Sequence, residues 1–105
     1  MFLNMKGYVY ILRCYDDRLY TGSTIHLQRR IEEHQSGNGS NFTKCRLPVT
    51  LVYFEEYNRI DQAFKREKQI QRWSRGKKEA LIQGNEEELH KLATCLNLTH
   101  YKFKK

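Results

Sequence analysis

The sequence predicts an α+β domain, a three-stranded antiparallel sheet flanked by helices in the order ββαβαα with a further C-terminal helix. Three observations carry that expectation. Residues 7–15 are rich in β-branched and aromatic side chains and are apolar at both alternating parities, with Tyr8, Tyr10 and Leu12 against Val9 and Ile11. That is the pattern of a central strand covered on both faces. Residues 18–22 and 50–56 read as two shorter strands, and apolar residues recur at helical spacing between and after them.

Each element follows from local chemistry. Asp16 and Asp17 supply the turn that folds residues 18–22 back on the first strand as a β-hairpin, which brings Tyr10 and Tyr20 near each other. After Gly22, Ser23 or Thr24 is expected to cap a helix over residues 25–35, on which Leu27, Ile31 and His34 share a face with Arg30 beside them. Residues 36–48, with Gly37, Asn38, Gly39, Asn41 and Pro48, read as a loop too long to be a mere connector. Asn58 or Asp61 is expected to cap a helix reaching about Trp73, with an apolar stripe of Ile60, Ala63, Phe64 and Ile70, and Ser74 caps another reaching Ile82. Leu89, Leu92, Ala93 and Leu96 recur at helical spacing over 84–97, a helix expected to pack on the rest, and 98–105 reads as a basic, flexible tail.

At 105 residues there is room for one domain. A composition of 39% hydrophobic and 30% charged residues is that of a folded chain rather than a disordered one. Lys and Arg total 19 against 12 Asp and Glu, a net charge of +7, which attracts polyanions and also simply aids solubility. Cys14, Cys45 and Cys95 form no C-x-x-C pair, so neither a disulfide framework nor a thiolate zinc site is expected. The cysteines read as reduced thiols of a cytoplasmic protein, expected to be a monomer, and with no apolar run near the roughly 20 residues of a membrane helix no membrane span is expected.

Glu67 is the most informative residue, because helical spacing puts it in the stripe that faces the sheet. A carboxylate there requires a metal, a set of donors or a salt bridge to a neighbouring Lys or Arg. Arg30 offers a fork for phosphate oxygens and His34, one turn on, a proton acceptor; the alternative is that Arg30 reaches out to solvent while His34 packs. Tyr10 and Tyr20 serve equally well as core phenols. Together, two phenols, a guanidinium, an imidazole and a carboxylate are the parts of metal-assisted attack on phosphorus.

With those residues in order, Tyr8-Val9-Tyr10 followed by Tyr20-Thr21-Gly22 resembles the GIY…YIG signature of a nuclease superfamily. Residues 27–31 resemble its arginine-bearing helix, with Arg30 and His34 in matching places, and Glu67 matches its metal-binding glutamate. The runs 41–44, 46–49, 51–55, 73–75 and 77–82 are similar to its small stand-alone bacterial branch (UPF0213-like). The resemblance spans residues 7–82, within a nuclease-like domain at 1–83, and departs from the signature at Tyr8, where glycine stands, and Thr21, where isoleucine stands. It implies an endonuclease that hydrolyses phosphodiester bonds, in DNA in preference to RNA. One Mg²⁺ (or Mn²⁺) would sit on Glu67, with Arg30 stabilising the phosphoryl charge and either Tyr20, with Tyr10, or His34 handling the water proton. Thr43, Lys44 and Arg46 on the long loop are expected to touch nucleic acid. The competing reading is a nucleic-acid-binding module without useful catalysis, serving a repair or processing partner.

Overall fold

The computed structural model describes residues 5–84. Along the chain, strands β1 (Gly7–Arg13) and β2 (Leu19–Thr24) are followed by helices α1 (Leu27–Gln35) and α2 (Asn41–Lys44), then strand β3 (Thr50–Tyr57) and helices α3 (Ile60–Gln71) and α4 (Arg75–Gly84). Both pairings are antiparallel, in the order β2-β1-β3. The expected α+β architecture is therefore observed. The predicted helix at 84–97 and tail at 98–105 lie outside the described residues.

β1 is central because it is apolar at both parities. Tyr10 and Leu12 join Leu27 and Ile31 of α1 and Leu51 and Phe54 of β3 in one core layer. Val9 and Ile11 join Val52, Tyr53, Ala63, Ile70 and Ile82 in the other, under α3 and α4. Each large apolar side chain buried this way contributes about 1.5–3 kcal/mol. That matters for α1, whose nine residues are too few to hold a helix in water alone.

Several boundaries differ from the sequence expectation. β2 continues to Thr24, so α1 begins at Leu27 with no side-chain cap, and Thr24 Oγ1 instead accepts from the His26 N–H at 3.1 Å as a local turn. The long loop contains α2, capped where Ser40 Oγ accepts from the Thr43 N–H. Neither Asn58 nor Asp61 caps α3; its cap position is Arg59, again without a side-chain bond. Ser74 caps α4 as expected, accepting from the Lys77 N–H. Phe64 is not part of the buried stripe and is 52% exposed. One residue past Ala63 is about 100° further round the helix, and that rotation carries Phe64 off the line of Ala63, Glu67 and Ile70.

A charged cluster ties α4 to the hairpin. Arg13, nearly buried at the end of β1, forks onto Glu79 at 2.5 and 2.7 Å and reaches Asp17 at 3.1 Å, while Arg75 holds Asp17 and Glu79 from the helix side. Asp17 sits in the left-handed region at φ 70°, which a short polar side chain tolerates in a tight turn.

Thr21, standing where the signature has isoleucine, is buried, and its Oγ1 has no hydrogen-bond partner among the described residues. An unsatisfied buried hydroxyl costs about 1–3 kcal/mol. Thr21→Val, which keeps the shape and removes the hydroxyl, is expected to raise stability by about 1 kcal/mol in urea denaturation. A lower midpoint would show that the hydroxyl has found a partner in solution.

Candidate active site

The centre of the site is a buried hydrogen-bonded chain linking three elements. Tyr10 on β1 places its hydroxyl 2.8 Å from Nε2 of His34 on α1, and Nδ1 of His34 lies 2.8 Å from Oγ1 of Thr43 on α2. Thr43 Oγ1 donates in turn to the Ser40 carbonyl at 3.2 Å. With that proton spent, Thr43 accepts from Nδ1–H, so Nε2 is left as an acceptor and the Tyr10 hydroxyl donates to it. Burial, assisted by the nearby Arg30 charge, holds the imidazole down to about 4. His34 is therefore neutral at physiological pH.

Tyr10 is 1% exposed, and burial pushes its phenol far above the usual range, with the Arg30 guanidinium only partly offsetting it. The charges of Tyr20 and Glu67 act on the same phenol. Tyr20 is half-buried, its ring 5.1 Å from His34 and 6.3 Å from Tyr10, stacked on Phe42 at 5.9 Å. Among the described residues its hydroxyl has no hydrogen-bond partner. Arg30 projects from α1 about one-third exposed and donates to Glu33 at 2.9 Å.

Glu67 comes to this cluster from the other face of the sheet. In the β1–β2 register Tyr20 lies opposite Leu12 and Gly22 opposite Tyr10, on the α1 face, whereas Ser23 lies opposite Val9, on the α3 face. Ser23 Oγ donates to Glu67 at 2.5 Å and Gln71 Nε2 donates at 2.7 Å, while the same Gln71 amide also reaches the Thr21 carbonyl. Both donors are neutral, and among the described residues no Lys or Arg pairs with this carboxylate. The expected alternative of a salt bridge at Glu67 is not observed.

Two glycines make the geometry possible. A Cβ at Gly22 would collide with the Tyr10 hydroxyl and ring, and a Cβ at Gly39 would collide with His34. The phenol therefore lies flat across the edge strand at the point where Ser23 and Glu67 begin.

The loop residues divide. Thr43 is 0% exposed and serves His34, so the expectation that it touches nucleic acid is corrected: no face of it reaches solvent. The Arg46 guanidinium is held internally by Asp16, by the Phe42 carbonyl and over the Phe42 ring at 4.0 Å. Lys44 remains exposed. Sequence reasoning missed Ser23, Gln71 and Ser40. The available signal was weak: Gln71 stands one helical turn after Glu67, and Ser40 three residues before Thr43.

A single carboxylate with neutral donors suits a cation that keeps most of its waters. Among the described residues no group of three or more His, Cys, Asp or Glu could hold a metal as a closed site. Mg²⁺ is commonly bound by one or two carboxylates together with substrate phosphate, so the donor set fits that ion and not zinc.

Comparison with known proteins shows the family of this chain. The family model described as the GIY-YIG catalytic domain matches residues 6–80. A UPF0213 protein of Syntrophus aciditrophicus is 46% identical over 85 residues, covering 80% of this chain and 98% of that protein. One from Natronomonas pharaonis is 45% identical over 75 residues, covering 71% and 88%. The solution NMR structure of a UPF0213 protein from Bacillus halodurans superposes with a TM-score of 0.53 at 39% identity, covering 78% of this chain and 87% of that one.

Because burial favours neutral His34 in the folded state, the unfolded chain binds the extra proton between its ordinary value of 6.5 and about 4. Stability from this residue is thus complete above about 6.5 and lost as pH falls toward 4, a drop on the order of 3 kcal/mol. Urea midpoints measured from pH 7 to 4 are expected to fall more steeply for the wild type than for His34→Asn; parallel curves would contradict the assignment. Gly22→Ala is expected to cost about 1–3 kcal/mol by the same measurement through overpacking against Tyr10.

Proposed function

Because the chain belongs to the GIY-YIG family, we propose that it is a metal-dependent endonuclease that hydrolyses phosphodiester bonds, in DNA in preference to RNA, acting as a cytoplasmic monomer. The observation that carries this reading is Glu67: a partly buried carboxylate beside the Tyr10 cluster, oriented by Ser23 and Gln71 and left without a counter-charge among the described residues. An arrangement built only for stability would pair that charge.

Bound at Glu67, Mg²⁺ or Mn²⁺ would polarise a scissile phosphate oxygen and supply ordered water. Ser23 and Gln71 fix the carboxylate so that its remaining lone pairs face outward. Arg30 exchanges its surface contact with Glu33 for the phosphoryl oxygens, a fork the guanidinium geometry favours and one that strengthens as charge builds there. Tyr20, with its hydroxyl unengaged, orients the attacking water.

His34 does not touch that water, since it is fully buried with both ring nitrogens occupied. It acts as a positioning residue: neutral Nε2 holds the Tyr10 proton and keeps the Tyr10 oxygen turned toward Arg30. The burial of His34 favours Tyr20 over His34 as the group nearest the water.

The test is incubation of the purified protein with end-labelled single- and double-stranded DNA and RNA, in Mg²⁺, Mn²⁺ or chelator. Cleavage is expected with metal, strongest on DNA, absent with chelator, and reduced by about 10²–10³-fold in Glu67→Gln and in Arg30→Ala. Cutting that survives both substitutions would refute the assignment. Salt-sensitive binding without cutting in any metal would instead make this chain a binding module.

A further inference from the structure

The outward face of α3 carries a groove of about 590 Å³ lined by Phe64, Lys65, Lys68, Gln69, Arg72 and Trp73. Its chemistry is unlike that of the neighbouring surface. Phe64 is 52% exposed on a helix whose other large apolar residues, Ile60 and Ile70, are half-buried and fully buried. The Lys68 ammonium lies 4.9 Å from the Phe64 ring centre, and Lys77 and Arg66 lie 4.1 and 4.9 Å from that of Trp73.

The charges also separate. Arg66 is consumed by a two-pronged contact with Glu55 at 3.0 and 3.1 Å, and Arg75 by Asp17 and Glu79. Lys65, Lys68 and Arg72 have no acidic partner among the described residues. A second groove, lined by Arg18, Leu19, Phe42, Arg75 and Lys78, has its arginines held by Asp16, Asp17 and Glu79. The α3 groove thus combines an exposed Phe64 ring and a half-buried Trp73 with three cations that have no acidic partner among the described residues, and no carboxylate in its lining.

Position connects it to the site. Phe64 precedes Glu67 by three residues, about 60° round the helix and about 4.5 Å along it. A strand passing Glu67 therefore meets the Phe64 ring and Lys68 next.

We propose that this groove is a second nucleic-acid site, holding an unpaired strand that flanks the cleavage position. A base stacks on Phe64, and backbone phosphates follow Lys68, Lys65 and Arg72 toward Trp73. An aromatic face accepts any base in sequence-tolerant fashion, and the lysines neutralise the backbone. A base within an intact duplex has no free face to offer. The proposal rests on the nuclease reading for its biological role, whereas the binding itself is independent of catalysis.

The experiment uses the full chain in chelator with a fluorescein-labelled oligothymidylate of about 15 nucleotides, and a duplex of equal length. Trp73 is the sole tryptophan, so its emission reports on the groove directly and is expected to be quenched by the oligonucleotide. Phe64→Ala is expected to weaken the single strand roughly tenfold while duplex affinity changes less than about twofold. Replacing Lys65, Lys68 and Arg72 together by Gln is expected to reduce the salt dependence of single-strand binding by about 2 in log–log slope. These side chains are exposed or half-exposed, so folding is preserved, and a circular dichroism melt checks it.

Unquenched Trp73 emission, or both variants binding the single strand as the wild type does, overturns the proposal. So does a change in sedimentation for Phe64→Ala with unchanged oligonucleotide affinity, which would assign the groove to a second copy of the chain. If the groove fails while Glu67→Gln still abolishes cutting, the nuclease reading stands alone. If Phe64→Ala loses the strand but the wild type cuts nothing in any metal, the groove stands and the nuclease reading fails.

Discussion

Everything at the site depends on a neutral imidazole being sealed between a phenol and a threonine. His34 has no exposed surface, and both ring nitrogens are satisfied by groups from other elements, Tyr10 from β1 and Thr43 from α2. Three pieces of chain are thereby fixed to one another through directional bonds rather than through apolar contact alone. Directionality matters because α1 is short and α2 is a single turn. Apolar burial would hold them near the sheet without setting the rotation that aims Arg30 of α1 and lays Phe42 of α2 against the Tyr20 ring.

The second constraint is topological. A sheet normally isolates the chemistry on its two faces, yet here the phenols and the guanidinium are on one face and the carboxylate on the other. They meet because β2 is an edge strand and Gly22 removes the side chain that would stand between them. The phenol can then lie across the strand, and Glu67 needs only to grip Ser23, the next residue, to reach the same rim. The tight turn at Asp17 and the Arg13–Glu79 fork hold the far end of that hairpin in place.

How much of this was legible in the sequence depends on whether the signal was periodic. β1 declared itself because being apolar at both parities has one structural meaning, and the hairpin followed from the two aspartates. The grouping of Leu27, Ile31 and His34 was readable from helical spacing for the same reason. Phe64 was misplaced because a stripe of four residues tolerates a rotational error of one position, and nothing in the sequence distinguishes an aromatic that packs from one that faces out. Thr43 was expected to touch nucleic acid and instead holds His34, since α2 was invisible: four residues are too few for a periodic signal. Ser23 and Gln71 were missed because a hydroxyl and an amide have no pattern until the fold brings a carboxylate beside them. Gly22 was visible as part of a motif, but its reason, the overlying phenol, is a long-range contact that only the register reveals.

The distribution of charge shows why net charge alone could not choose between solubility and nucleic-acid binding. Among the described residues every arginine except Arg72 is engaged in an ion pair, whereas of the lysines only Lys6 is. Exposed pairs of this kind contribute at most about 1 kcal/mol each, so their importance is not mainly energetic. They cancel the far field of the arginines and leave a net potential built from lysines. Those lysines cluster: Lys65 and Lys68 on α3, Lys77 and Lys78 on α4, with Arg72 between. Planar guanidinium groups have gone where geometry must be held, and compact ammonium groups where a flexible polyanion must be attracted without being fixed. Among the described residues the positive charge left without an acidic partner therefore gathers mainly on α3, which carries Glu67, and on the neighbouring α4.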